Sequence, residues 1–290
     1  MSVNKKYQKA VDLLMSGTSN EDVIIGSIDE FTEEELSEMS DYLLINDNLI
    51  ITASSGRTHD TAKNLLVRGL VNGIRSLSKE NSEKYNYFVA YSVPYVDIFK
   101  CGRIIDKHAD SVIRLKENEI VSFPLVIEVA HGSESLKTLI IELLNYMSEF
   151  SETIYAIGFY IDRKSESFTA QLIVLRRMLP VDKKKSDALL NAIKNRKKNR
   201  HFEMACPQGG IKPVPFFIID FKKFISDNNA ELFYDYEINE SNMNDNIEFR
   251  LRAGDFNGED GQFINIVISS STINDIYSEW RIWRNEKKQP

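Results

Sequence analysis

Cysteine and histidine are scarce in this sequence, which limits the kinds of site it can build. The chain has 290 residues but only two cysteines, Cys101 and Cys206, and four histidines scattered along it. Two isolated cysteines exclude a disulfide framework, and they form no C-x-x-C pattern of a zinc site. We therefore expect neither a disulfide-stabilised secreted domain nor a structural zinc protein.

Long apolar runs and an excess of positive charge are also absent. No apolar run approaches the roughly 20 residues that span a bilayer, and the first residues lack the pattern of a signal peptide. The formal net charge is −7 and the pI is about 5.3, so any contact with nucleic acid needs a local basic patch. We expect an intracellular protein, cytoplasmic or nuclear, with no membrane partner.

The hydrophobic periodicity predicts an α/β fold with a mixed sheet. Helical patterns cover residues 5–15, 29–44 and 58–78, and strand-like segments follow within 85–130. A strongly apolar helix over 134–150 then precedes two more strand-like segments. This order predicts a helix that crosses over between two strands of one sheet.

The composition suggests three regions. Residues 1–50 form an N-terminal segment expected to be helical, residues 51–180 form the α/β core, and residues 181–290 combine a basic helix with a β-rich C-terminal extension. The C-terminal strands also fit a second arrangement, in which they extend the sheet of the core.

Glu128 interrupts the apolar run "LVIEVA", where an unpaired carboxylate costs several kcal/mol. Asp110 lies 18 residues earlier, a spacing that suits two adjacent antiparallel strands about 4.8 Å apart. Two carboxylates at one height would repel each other unless a cation such as Mg²⁺ lay between them. Two simpler readings stay open: Asp110 faces solvent, and Glu128 pairs with a basic side chain or with backbone N–H groups.

Two segments, "IIDKHADSVIRL" and "SFPLVIEVAHGSES", resemble the core of the PD-(D/E)XK, restriction-endonuclease-like nuclease superfamily. The likeness is to the branch of uncharacterised fungal proteins and bacterial restriction-endonuclease candidates, and it covers about residues 55–178. Asp110 matches the first acid, in "HAD" rather than "PD", and Glu128 matches the second. The resemblance implies a restriction-endonuclease-like mixed sheet flanked by helices, and a Mg²⁺- or Mn²⁺-dependent endonuclease that hydrolyses DNA.

The resemblance also implies which groups hold the metal. The carboxylates of Asp110 and Glu128 would bind it together with the backbone carbonyl of Val129. His59, at the start of the helix that resembles the first core helix of the branch, and Glu134 would support the metal or its ligands. Glu134 equally fits an acidic residue at the start of a helix, where the helix dipole stabilises negative charge.

One position departs from the superfamily pattern. The usual lysine two residues after the glutamate is replaced by Ala130. Lys137, the first lysine of the following helix, is then the candidate for the basic group that orients the attacking water or stabilises the developing charge, although it equally fits a solvated helix position. Without a basic group, the alternative is a catalytically inactive module that binds nucleic acid or a protein partner.

A basic stretch follows the core. Its cations could contact a DNA backbone, could act as a nuclear-localisation cluster, or could simply form a solvated helix face. The candidate nucleic-acid patch consists of Lys183, Lys184, Lys185, Lys194, Arg196, Lys197, Lys198 and Arg200.

Overall fold

The computed structural model covers the central sheet, its helices and the C-terminal strands. The residues it describes are 23–27, 30, 42–45, 48–51, 57–75, 87–90, 95–100, 103–117, 120–131, 135–147, 153–162, 165–178, 220–256 and 260–287. The expected helix at 5–15, Glu134 and the basic stretch at 183–200 lie outside these residues. No helix within these ranges is long and apolar enough to cross a membrane.

The described residues form thirteen strands and four α-helices. The strands are β1 (Val23–Ser27), β2 (Tyr42–Ile45), β3 (Asn48–Ile51), β4 (Tyr87–Ala90), β5 (Tyr95–Lys100), β6 (Arg103–His108), β7 (Ser111–Glu117), β8 (Ile120–His131), β9 (Tyr155–Ile161), β10 (Thr169–Arg177), β11 (Ala230–Asn239), β12 (Ile247–Arg252) and β13 (Phe263–Ile268). The helices are α1 (Arg57–Arg75), α2 (Leu136–Tyr146), α3 (Phe221–Asp227) and α4 (Ser270–Lys287), with a 3₁₀ turn at Ala253–Phe256.

Six of the described strands form one mixed sheet in the order β11-β10-β9-β8-β7-β4. Strands β8 and β9 are parallel, whereas the other neighbours in this sheet are antiparallel. Helix α2 connects β8 to β9, as parallel neighbours require. The predicted mixed α/β sheet with a helical crossover is therefore confirmed.

Strand β8 is buried on both faces because a different helix covers each one. Leu125, Ile127 and Val129 share a core cluster with residues of α1, whereas Ala130 belongs to a second cluster with residues of α2. A run of apolar residues without alternation is what a strand covered on both faces needs. Glu128 is therefore placed in an interior layer of the molecule, where it is 6% exposed.

The C-terminal strands continue the structure of the core. Strand β11 pairs with β10 at the edge of the sheet, so residues on both sides of position 180 belong to one sheet. The hairpin β12–β13 packs against α1 through two glycines: a Cβ on Gly69 would lie 3.2 Å from the carbonyl oxygen of Val267, and one on Gly73 would collide with that of Asn265. The missing side chains let the helix approach the strand edge closely.

The N-terminal segment departs from the helical prediction. Residues 42–44 end the predicted helix at 29–44, but the structure places them in β2, which pairs with β3, and β3 pairs with β1. The segment "YLLI" is apolar and compatible with a strand. Pairing with the following strand therefore outweighs the local helical pattern and determines its conformation. The prediction was therefore wrong for these residues.

Candidate active site

The register of β7 on β8 brings Asp110 opposite Glu128. Ser111 pairs with Ile127 and Val112 with Val126, so one further step along the antiparallel pair aligns Asp110 with Glu128. The segment "IIDKHADSVIRL" is divided between two strands, because the chain leaves β6 at His108 and enters β7 at Ser111. Asp110 occupies this break, where its carboxylate can turn toward both neighbouring strand and helix.

His59, in the first turn of α1, holds the carboxylate of Asp110. Its Nε2 atom lies 3.0 Å from Oδ2 of Asp110, and the backbone N–H of Val129 donates to the same oxygen at 2.7 Å. The Nδ1 atom of His59 is buried and makes no hydrogen bond among the described residues; Oδ1 of exposed Asp60 lies 3.5 Å away. Two strands and one helix therefore converge on one carboxylate.

The two members of this pair shift each other's protonation equilibria. Burial would raise the pKa of Asp110, but the hydrogen bond and positive charge of His59, with the N–H of Val129, hold it below its ordinary value. Burial would lower the pKa of His59, but the hydrogen bond and charge of Asp110 raise it above its ordinary value. Both shifts favour an imidazolium–carboxylate ion pair.

Glu128 connects this pair to α2. Its carboxyl group hydrogen-bonds to Asp110, and this bond also helps to lower the pKa of Asp110. It also hydrogen-bonds to Tyr146, the last residue of α2. Two carboxyl groups in contact hold one proton between them or share a cation.

Tyr146 and Glu142 extend the cluster into the interior. Tyr146 is 0% exposed and Glu142 is 7% exposed, one helical turn apart on α2. Burial, and then the charges of Glu128 and Glu142, raise the pKa of Tyr146 well above its ordinary value, so its hydroxyl is a hydrogen-bond donor. Sequence reasoning missed Tyr146; the signal was its spacing from Glu142, since residues at i and i+4 lie on the same face of a helix.

The structure also locates Ala130 and Lys137, the two positions that bear on a catalytic basic group. Ala130 is 1% exposed and packs with the apolar face of α2, so a lysine there would have to enter the core. Lys137 is half-buried in the first turn of α2. It lies nine residues before Tyr146, which is about 13 Å along a helix.

Hard divalent cations bind to oxygen ligands, and the Asp110–Glu128 pair supplies carboxylate oxygens next to each other. Among the described residues, no three His, Cys, Asp or Glu side chains converge on a point that suits a metal. A metal at this position would therefore take its remaining ligands from water and from backbone oxygen. Carboxylate oxygens are the donor type that Mg²⁺ and Mn²⁺ prefer, so the donor chemistry of the pair by itself suits such a cation.

No family model, curated protein or solved structure matches this chain.

Proposed function

We propose that the protein is a Mg²⁺- or Mn²⁺-dependent nuclease of the restriction-endonuclease-like type, which hydrolyses phosphodiester bonds of DNA. The observation that supports this function best is the contact between Asp110 and Glu128 at the junction of β7 and β8. Two buried carboxyl groups in contact are unfavourable when both are charged, and a divalent cation removes that cost.

The side chains around the pair orient its oxygens. His59 and the N–H of Val129 fix Oδ2 of Asp110, and Tyr146 donates to Glu128. Asp110, Glu128 and the carbonyl of Val129 would hold the metal, which would lower the pKa of a bound water and stabilise the leaving oxygen.

A basic group would orient the attacking water and stabilise the developing charge. The resemblance assigns this role to Lys137, because Ala130 occupies the usual position of the lysine. Lys137 lies at the start of α2, however, and Tyr146, which contacts Glu128, lies at its end. His59 is the second basic side chain near the pair, but its Nε2 is committed to Asp110. Two variants separate these candidate basic groups. Lys137→Ala should abolish turnover without changing metal affinity, whereas His59→Gln should weaken both turnover and metal affinity.

The direct test is nicking of supercoiled plasmid in Mg²⁺ or Mn²⁺. We expect cleavage by the wild type and at least a hundredfold loss in Asp110→Asn and Glu128→Gln, since each removes a charged ligand. Asp275→Asn, an exposed acid on α4, is the matched control and should cleave like the wild type. Nicking that survives both site substitutions would contradict the proposal.

A second candidate function is a catalytically inactive module on the same fold, which binds nucleic acid or a protein partner. The buried Ala130 favours it, because the position has neither the lysine nor space for one. This candidate predicts saturable binding with no cleavage in Mg²⁺, Mn²⁺ or Co²⁺. Cleavage by the wild type that disappears in Asp110→Asn would exclude it.

A further inference from the structure

The hairpin β12–β13 has one apolar face and one exposed face. Along both strands, buried and exposed residues alternate strictly. The buried residues join the core cluster of α1 and α4: Ile247, Phe249, Leu251, Ile264, Ile266 and Ile268. The opposite face is open, and it carries two of the most exposed large apolar side chains of the described chain, Phe263 at 49% and Val267 at 43%.

Cross-strand pairing aligns cations with the aromatic ring on this face. Arg252 pairs directly with Phe263, and Arg250 pairs with Asn265. Both arginines and Asn265 are exposed. Directly opposed residues have their Cβ atoms about 5 Å apart, so two guanidinium groups, an amide and an aromatic ring lie within one small area. The remaining pair, Glu248 with Val267, lies at the far end of the hairpin.

The surface under these side chains is rigid. The buried face packs into the core, and the edge of β13 lies against the glycines of α1, where Gly73 leaves no space for a side chain. An exposed phenylalanine on a fixed strand loses little freedom when a flat partner covers it. An exposed ring beside guanidinium groups can stack on a flat partner while the cations contact its negative charges.

We propose that the exposed face of β12–β13 binds single-stranded nucleic acid, with Phe263 stacking on a base and Arg250 and Arg252 contacting phosphates. The choice of polymer rests on the nucleic-acid function proposed above. Charge supports it, because a chain with net charge −7 concentrates two cations beside its exposed ring. A ring that projects from a flat strand surface requires an unstacked base, which a single strand provides and an intact duplex does not.

The test is fluorescence anisotropy with a labelled (dT)12 oligonucleotide and the full chain, in EDTA so that no metal contributes. We expect Phe263→Ala to weaken binding about tenfold, as loss of one stacked base does. We expect the double variant Arg250→Ala/Arg252→Ala to reduce the slope of the logarithm of the binding constant against the logarithm of the salt concentration by about 1.4. That is the value for two phosphate contacts on a single strand. Ile282→Ala and Arg281→Ala, an exposed apolar residue and an exposed arginine on α4, are the matched controls and should bind like the wild type.

Three results would overturn the inference: unchanged affinity in Phe263→Ala, equal affinity for a 12-base-pair duplex, or a self-associating wild type that Phe263→Ala makes monomeric. The last would identify a second copy of the chain as the partner. The oligonucleotide assay runs in EDTA, so its outcome does not depend on metal-dependent cleavage at Asp110 and Glu128. The surface can therefore be confirmed even if the plasmid experiment shows no cleavage, and cleavage without this binding would reject the surface alone.

Discussion

Nε2 of His59 lies 3.0 Å from Oδ2 of Asp110, so the first turn of α1 and the start of β7 meet in one ion pair. The side chains of His59 and Asp110 are 9% and 19% exposed. The same oxygen accepts the N–H of Val129, one residue after Glu128. Folding and the candidate site therefore depend on the same contact.

The first prediction concerns the pH dependence of this pair. The raised pKa of His59 gives stability that is fully present below its ordinary value of 6.5 and is lost as pH rises through the folded-state value. The lowered pKa of Asp110 gives stability that is present above its ordinary value of 3.8 and is lost as pH falls through the folded-state value. His59→Gln should therefore lower the free energy of unfolding most, by about 3 kcal/mol, between about pH 4 and pH 6.5.

Urea denaturation of wild type and His59→Gln at several pH values measures this difference. Asp60→Asn is the control, because Asp60 is 53% exposed and lies 3.5 Å from Nδ1 of His59. We expect it to change the free energy of unfolding by less than about 0.5 kcal/mol. A difference between wild type and His59→Gln that does not vary with pH would show that the ion pair contributes nothing.

The second prediction separates repulsion within the carboxyl pair from metal binding. In EDTA, Glu128→Gln should raise the melting temperature. A neutral amide avoids the cost of placing a second charge, or of holding a proton, beside Asp110, and it keeps hydrogen-bonding atoms for Tyr146 and Asp110. Added Mn²⁺ should raise the melting temperature of the wild type and leave that of Glu128→Gln unchanged, since a ligand stabilises only the state that binds it. Equal shifts of the melting temperature in both proteins would show that Mn²⁺ binds at another site.

The third prediction concerns the contact between α1 and β13. A Cβ on Gly73 would collide with the carbonyl oxygen of Asn265 and lie 2.6 Å from Cδ1 of Ile266. Overpacking of this kind costs about 1–3 kcal/mol, and a backbone atom cannot move aside as a side chain can. Gly73→Ala should therefore destabilise the protein despite the better helix propensity of alanine.

Gly69→Ala is the matched comparison on the same helix. Its Cβ would lie 3.2 Å from the carbonyl oxygen of Val267, which requires a shift of a few tenths of an ångström. The gain of about 1 kcal/mol in helix propensity offsets most of that strain. Similar melting temperatures for the two variants would mean that the hairpin does not press against α1.

The fourth prediction concerns the network that joins the 3₁₀ turn to the sheet. Tyr155 donates to Oδ2 of Asp255 at 2.6 Å, and Nε of Arg176 donates to the same oxygen at 3.0 Å. The side chain of Asp255 is 20% exposed and that of Arg176 is 16% exposed. Asp255→Ala should cost about 3 kcal/mol, because it leaves a largely buried guanidinium without its main partner.

The exposed pair of Lys223 with Asp227 on α3 provides the control for this measurement. Its side chains are 70% and 43% exposed, so solvent screens their attraction. Asp227→Ala should leave the urea midpoint unchanged. Equal losses in Asp227→Ala and Asp255→Ala would show that burial of the network adds nothing.

Much of the α/β core follows from the sequence because local and tertiary preferences agree there. The apolar period of α1 and the apolar run of β8 lead to the elements that form. At 42–44 the two preferences disagree: the local pattern favours a helix, whereas pairing with β3 produces a strand. Such pairing depends on a partner strand, and a short stretch of sequence does not show which strand its partner is.

The sequence by itself determined that Glu128 would be an acid inside an apolar strand, and that Asp110 stood at a spacing suited to the neighbouring strand. Only the tertiary structure decided that the carboxyl groups touch, because contact depends on strand register and on the break before β7. It also brought His59 and Tyr146 to the pair from helices on either side of β8. Spacing along a chain limits which strands can pair, but the neighbours of a side chain depend on how separate elements pack together.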